Sequence, residues 1–119
     1  MRLECENYGS VVVLTPMETR LDANISREFR ETALTMIQPD NKVCAIDLSH
    51  VTFMDSSGMG ALVGLMNRIG RDRRLEICCL SPAVKKVLRL TRMDTVFSIR
   101  DSVAPILSPS TASARAAGF

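Results

Sequence analysis

The stretch of this chain best suited to chemistry runs from Asp55 to Gly58, where two serine hydroxyls follow a carboxylate. Apolar residues recur at helical spacing from Met59 onward, so we expect a helix that begins close to Ser56. Asp55, Ser56 or Ser57 can serve as its N-cap. A phosphate at a helix N-terminus meets unpaired N–H groups and the positive end of the helix dipole, so a serine here can be phosphorylated without unfolding its helix. An ordinary capped helix that packs through small residues is the simpler interpretation.

A serine hydrolase would need a general base beside Ser56 or Ser57, and His50 is the only histidine in the chain. The residues around the serines do not form a G-x-S-x-G pattern, and no recognisable group would orient His50. Asp55 is a single carboxylate and does not make a metal site by itself. We therefore expect no catalytic residues, no metal and no other cofactor.

A loose dinucleotide-binding fingerprint is formed by Gly58, Gly60 and Gly64, with Glu76 following at a distance. The acidic residue lies near the start of its predicted strand and not at its end. So short a chain also has no room for both a cofactor domain and a substrate domain. The pattern gives weak support to dinucleotide binding.

The composition suits one modest core. The chain has 119 residues, of which 46% are hydrophobic, and this leaves little for a second domain. We expect a single domain over residues 1–107 and a loosely ordered tail over 108–119, because the tail is terminal and consists mostly of small and polar residues. Lysine and arginine number 15 against 13 aspartate and glutamate, and tryptophan is absent, so nucleic acid is not expected as a partner.

The first residues lack a basic region followed by a long apolar one, and no stretch approaches the roughly 18 apolar residues of a membrane span. We therefore expect a cytoplasmic protein with no membrane contact. Four cysteines lie in strand-like segments without a C-x-x-C pair, and a reducing compartment favours free thiols. We expect these four residues to be reduced and in the core: Cys5, Cys44, Cys78 and Cys79.

Apolar and β-branched runs predict a short hairpin followed by helices that alternate with buried strands. This alternation indicates an α/β protein with right-handed crossovers and parallel pairing among the central strands. The predicted strands are Leu3–Tyr8, Val11–Leu14, Val43–Leu48, Leu75–Leu80 and Val96–Ile99.

Turn and cap residues place the element boundaries. Pro16 should end the hairpin, and residues 17–21 should form a loop. Asp22 or Asn24 should cap the first helix, since both side chains accept hydrogen bonds from free N–H groups. Ser81-Pro82 should begin a later helix, with a capping hydroxyl before proline at the first helical position.

Three segments resemble the STAS domain family, and in particular the bacterial anti-sigma factor antagonists. The family's phosphorylation motif is similar to FMDSSGMGALVG at 53–64, its later strand-to-helix segment to CLSPAVKKVL at 79–88, and its loop before the first helix to Arg20-Leu21-Asp22. The resemblance covers about residues 3–107 in element order. It implies the STAS fold, with an N-terminal β-hairpin, alternating βα units and a mixed central sheet on which helices pack.

In such antagonists, the first hydroxyl residue after the aspartate is phosphorylated by a partner kinase that also sequesters a sigma factor or another client. The resemblance therefore implies that Ser56 is the phosphoacceptor of a non-enzymatic switch. It implies two partners, an anti-sigma factor serine/threonine kinase and a metal-dependent serine phosphatase. The residues that it implies at the partner surface are Asp22, Asp55, Ser57, Gly58 and Met59.

The sequence departs from the family at Thr19, Arg71 and Arg92, where the family often has glycine. These positions affect loop shape and partner choice but leave the motif intact. Two other interpretations remain open. One is a nucleotide- or phosphate-binding STAS module without a phosphoswitch, and the other is a small enzyme that uses Ser56 or Ser57 as its nucleophile.

Overall fold

The computed structural model describes residues 1–107, and the tail predicted over 108–119 lies outside them. The strands are β1 (Leu3–Tyr8), β2 (Val11–Pro16), β3 (Arg20–Leu21), β4 (Val43–Asp47), β5 (Phe53–Met54), β6 (Arg74–Cys78) and β7 (Ser98–Arg100). The helices are α1 (Ser26–Met36), α2 (Ser56–Ile69), α3 (Pro82–Leu90) and the short α4 (Ala104–Leu107), and a 3₁₀ turn spans Met93–Thr95.

Five strands form the main sheet in the order β1-β2-β4-β6-β7. β1 is antiparallel to β2, and the other neighbours run parallel. The hairpin turns at Gly9, whose φ of 76° lies in the left-handed region and whose N–H donates to the Asn7 side chain at 3.0 Å. This topology confirms the predicted α/β fold with an N-terminal hairpin, alternating βα units and a mixed sheet.

Helices α1, α2 and α3 share a core with one face of the sheet. Their buried side chains include Phe29, Leu62 and Leu88, which belong to the same apolar cluster as Leu14 and Ile77 of the strands. Burying a side chain of this size contributes about 1.5–3 kcal/mol, so this layer fixes the position of the α2 start. The opposite face carries a smaller cluster made of Val11, Val13, Val43, Ala45, Cys78 and Ile106.

The start of α1 differs from the prediction. Neither Asp22 nor Asn24 caps the helix, because Ile25 occupies the N-cap position and no side chain caps it. Asp22 instead organises the turn before the helix, where its Oδ1 accepts the Asn24 N–H at 3.0 Å and its carbonyl accepts the Ser26 N–H at 2.9 Å. The polar signal for a boundary is therefore correct, but it marks a turn that precedes the helix.

The last strand begins at Ser98, two residues later than predicted. Val96 donates its N–H to the Met93 carbonyl at 3.0 Å, and its side chain is 45% exposed. Phe97 follows as a buried core residue. A β-branched residue favours a strand only where the sheet can pair it, and here the 3₁₀ turn uses its backbone instead.

The cysteines divide by burial. Cys44 and Cys78 are buried as predicted, and burial raises the pKa of the Cys44 thiol to about 12 and also raises the pKa of Cys78. Cys79 is half-buried and has a φ of 62°. Because this conformation does not continue a strand, β6 ends at Cys78, two residues before the predicted end at Leu80. Cys5 is exposed, so its assignment to the core is wrong. The reason is that β1 is an edge strand whose residues are exposed after the first one.

Candidate functional site

The serine motif forms the start of α2. Asp55 occupies the N-cap position, and its Oδ1 accepts the Gly58 N–H at 3.0 Å. The Asp55 carbonyl accepts the Met59 N–H at 3.1 Å. Ser56 is the first helical residue and is exposed, whereas Ser57 is half-buried. Because the carboxylate takes the cap position, both hydroxyls lie outside the cap.

A turn that precedes α1 lies against the start of α2. The second carboxylate oxygen of Asp55, Oδ2, accepts the Ala23 N–H at 3.2 Å. Ala23 follows Asp22, whose side chain is only 14% exposed and whose Oδ2 accepts a hydrogen bond from Arg20 Nε at 3.2 Å. The structure therefore brings together Asp22 and Asp55, two residues that the sequence implied at the partner surface.

A parallel ribbon made of β3 and β5 aligns these two turns. Leu21 pairs with Met54, and both side chains are buried. The next residues are Asp22 and Asp55, so both carboxylates leave the ribbon at the same end. The loop predicted over 17–21 thus contains a strand, which sequence reasoning missed because it is only two residues long. The sequence signal for this pairing is an apolar residue followed by aspartate, which occurs at Leu21-Asp22 and again at Met54-Asp55.

The outer side of the ribbon carries an ordered cation and an aromatic ring. The guanidinium carbon of Arg20 lies 4.0 Å from the centre of the Phe53 ring, and the ring is on a side chain that is 39% exposed. The Nε of Arg20 also donates to Asp22. Contacts with a ring face and a carboxylate together hold this arginine in one orientation beside the site.

Gly58 lies beneath the site and not on its surface. It is buried, and a Cβ at this position would collide with the Leu21 carbonyl oxygen and lie 2.9 Å from Cγ of Met54. Met59 is half-buried, and its sulfur lies 3.5 Å from Oγ1 of Thr91 at the C-terminal end of α3, whose hydroxyl donates to the Val87 carbonyl at 2.7 Å. The glycine thus allows α2 to approach the ribbon, and the methionine joins α2 to α3.

Groups that other chemistries would require lie elsewhere. Glu76 is fully buried in β6, where it accepts a hydrogen bond from Arg100 at 2.9 Å and lies 3.4 Å from Arg74, so it is not free to bind a ribose. His50 is exposed in the turn after β4. Among residues 1–107, no three acidic, histidine or cysteine side chains come together as a metal site. In the same part of the chain, no helix has the length and hydrophobicity to cross a bilayer.

Comparison with known proteins identifies a family model and a relative that match this chain. The STAS domain family model matches residues 2–105. A STAS-domain containing protein of Pseudomonas aeruginosa is 26% identical over 84 residues, which cover 70% of this chain and 82% of that protein.

Solved structures show the same similarity. An anti-sigma-factor antagonist (STAS) domain protein from Planctomyces limnophilus has a TM-score of 0.77 and 26% identity, covering 88% of this chain and 93% of that one. The Bacillus cell fate determinant SpoIIAA in its phosphorylated form has a TM-score of 0.63 and 22% identity, covering 88% and 96%. The fold described above is therefore the fold of these antagonists.

Proposed function

Because the chain belongs to the STAS domain family, we propose that it is a phosphorylation-controlled partner-switching regulator of the anti-sigma factor antagonist kind. The unphosphorylated protein binds an anti-sigma factor serine/threonine kinase and releases the sigma factor or other client of that kinase. Phosphorylation at Ser56 ends this binding, and a metal-dependent serine phosphatase restores it. The protein then acts as a regulator and not as an enzyme, and its place is the cytoplasm, where sigma factors work.

The observation that carries this proposal is the position of Ser56. It is the exposed first residue of a 14-residue helix, and its neighbour Asp55 already satisfies the Gly58 N–H. A phosphate at such a position gains from the helix dipole and can accept further backbone hydrogen bonds, so it costs the domain little stability. Ser57 is half-buried and faces α1, which makes Ser56 the more accessible hydroxyl.

The surface around Ser56 suits a protein partner that must sense phosphate. Asp55 places a carboxylate beside it, Asp22 lies in the turn that contacts Asp55 through Ala23, and Ser57 and Met59 follow along α2. Gly58 supports this surface from below by letting the helix pack closely on Leu21. The similarity to SpoIIAA in its phosphorylated form supports a phosphorylation site on this fold.

The kinase can be obtained by affinity capture from native cell extract with Ser56→Ala as bait, since this variant cannot be phosphorylated and should keep the kinase bound. The captured kinase is then incubated with ATP and the wild-type protein. Phosphopeptide mapping by mass spectrometry should locate the phosphate on Ser56.

Two matched variants make the assignment decisive. Ser56→Ala should abolish phosphate incorporation, whereas Ser57→Ala should retain it. Phosphate found mainly on Ser57, or incorporation undiminished in Ser56→Ala, would show that Ser56 is not the acceptor.

A further inference from the structure

An open groove of about 410 Å³ lies between the first turns of α1 and α2, next to the candidate phosphoacceptor. It is lined by Ser26, Arg27, Arg30, Ser57, Gly60 and Ala61. Both helices therefore present their N-terminal turns to the same space. Each helix N-terminus carries a partial positive charge, but the capping Asp55 carboxylate offsets it at α2, so the positive charge of the groove comes mainly from its arginines.

Arg30 is the unusual member of this lining. Its side chain is half-buried, and its Nε is fully buried without a hydrogen-bond partner in the part of the chain that the structure describes. The side chain lies across Gly64, where an added Cβ would be 3.1 Å from the Arg30 Cδ. A buried guanidinium nitrogen without an acceptor is costly, so Arg30 is the cation of this groove whose donors are least satisfied within the protein.

Arg27 adds a second cation at the groove. Its Nε lies 3.5 Å from Glu31, and the two side chains are 83% and 59% exposed. Such an exposed pair contributes little to stability, so Arg27 can leave Glu31 for a better acceptor. Arg27 and Arg30 occur one turn apart on α1, which allows both to reach one ligand.

We propose that this groove receives an acidic side chain of the partner kinase, with Arg30 and Arg27 as the carboxylate receptor. The inference rests on the proposed function, because a kinase that reaches Ser56 has to cover the start of α2 and therefore the groove beside it. A planar guanidinium donates two parallel hydrogen bonds to a carboxylate, and carboxylates are the anionic groups that a protein partner offers. Ser26 and Ser57 supply further hydroxyl donors at the same place.

The receptor also connects binding to phosphorylation. A phosphate on Ser56 adds about −1.5 to −2 charges next to Ser57, which lines the groove. The new charge would repel a carboxylate that enters the groove. Phosphorylation of Ser56 therefore opposes the binding of the partner's acidic side chain.

The first test measures the affinity of the kinase by titration calorimetry. Arg30→Gln should weaken binding by about tenfold or more, since a charge-assisted hydrogen bond is lost. Arg68→Gln makes the same charge change in the last turn of α2, far from the groove, and should alter affinity less than twofold. Arg30→Lys keeps the charge but loses the paired donors, so it should fall between wild type and Arg30→Gln. Equal affinity for wild type and Arg30→Gln would overturn the proposal.

The second test uses the isolated protein and is independent of the kinase. Acetate is titrated against chloride at constant ionic strength while backbone amide shifts are recorded by NMR. Saturable shifts in the first turns of α1 and α2 that vanish in Arg27→Gln or Arg30→Gln would support the receptor. Absence of such shifts, or shifts produced by inorganic phosphate alone, would overturn it. If acetate binds but the kinase neither binds nor phosphorylates the wild type, the proposed function fails while the anion receptor stands.

Discussion

Ala23 donates its backbone N–H to Oδ2 of Asp55 across 3.2 Å, although the two residues lie 32 positions apart in the chain. The other oxygen of the same carboxylate caps α2 through Gly58. One side chain therefore holds both the helix that begins with Ser56 and the turn that carries Asp22. Such a frame would hold Ser56 in one position if the proposed phosphorylation changed its charge.

Removing this carboxylate should loosen both elements. Asp55→Ala should lower the free energy of unfolding by about 1–3 kcal/mol, because an N-cap and a second hydrogen bond are lost together. Asp55→Asn keeps an acceptor oxygen and should lose less. Urea unfolding followed by circular dichroism measures the change, with exposed Asp72→Ala as the control. An Asp55→Ala unfolding midpoint equal to that of wild type would show that this carboxylate does not hold the two elements together.

Two glycines in the same helix should respond in opposite ways to alanine. Gly58→Ala should destabilise the fold, because its Cβ would meet the Leu21 carbonyl and the Met54 side chain. Gly60→Ala adds a methyl group into open space and should be neutral or stabilising by up to about 1 kcal/mol, since alanine favours a helix. Thermal unfolding of the two variants side by side tests this. Similar changes in midpoint for both would contradict the close approach of α2 to the ribbon.

The start of α2 could be predicted from the sequence because its signals are local: a capping carboxylate, two hydroxyls and helical spacing from Met59 onward. The ribbon could not, because each of its strands has two residues and their pairing depends on contacts between segments distant in the chain. The groove could not be predicted either, because it also depends on contacts between distant segments. Arg30 and Ser57 meet only after α1 packs on α2, so no spacing along the chain reveals their proximity.

Arg92 lies in the left-handed region with a φ of 61°, a conformation that glycine adopts without steric cost. A non-glycine residue in this conformation costs about 1–2 kcal/mol. Arg92→Gly should therefore raise the free energy of unfolding by about 0.5–1 kcal/mol, net of the entropy that glycine loses on folding. Arg71→Gly is the control, because the φ of Arg71 is not positive and only the entropy loss applies. Chemical unfolding that shows equal losses for both variants would exclude this explanation.

The buried thiols should make stability fall at high pH. The pKa of Cys44 is raised by burial from its ordinary value of 9.0 to about 12, so the folded state holds this proton more tightly than the unfolded chain. The stabilisation is complete below pH 9 and is lost as pH rises from there toward about 12. Unfolding midpoints between these limits should decline less steeply in Cys44→Ala than in the wild type. Adding a reducing agent should leave the midpoint unchanged, and parallel pH profiles for the two proteins would refute the linkage.

Ser56→Glu should weaken kinase binding without changing the fold, and both effects follow from the helix start. At the first helical position a negative charge meets the positive end of the dipole, so the melting temperature should stay within a few degrees of wild type. The partner instead has to desolvate that charge beside Asp55, where the local field is already negative. A penalty of about 3 kcal/mol lowers affinity roughly a hundredfold, which is enough to exchange partners.

A carboxylate carries less charge than phosphate, so affinity should decrease from wild type to the mimic to the phosphoprotein. Titration calorimetry on the three forms, with circular dichroism as the control for the fold, measures this order. Equal affinity for the unphosphorylated and the fully phosphorylated protein would end the switch mechanism, whereas equal affinity for the mimic alone would show that a carboxylate is a poor substitute for phosphate.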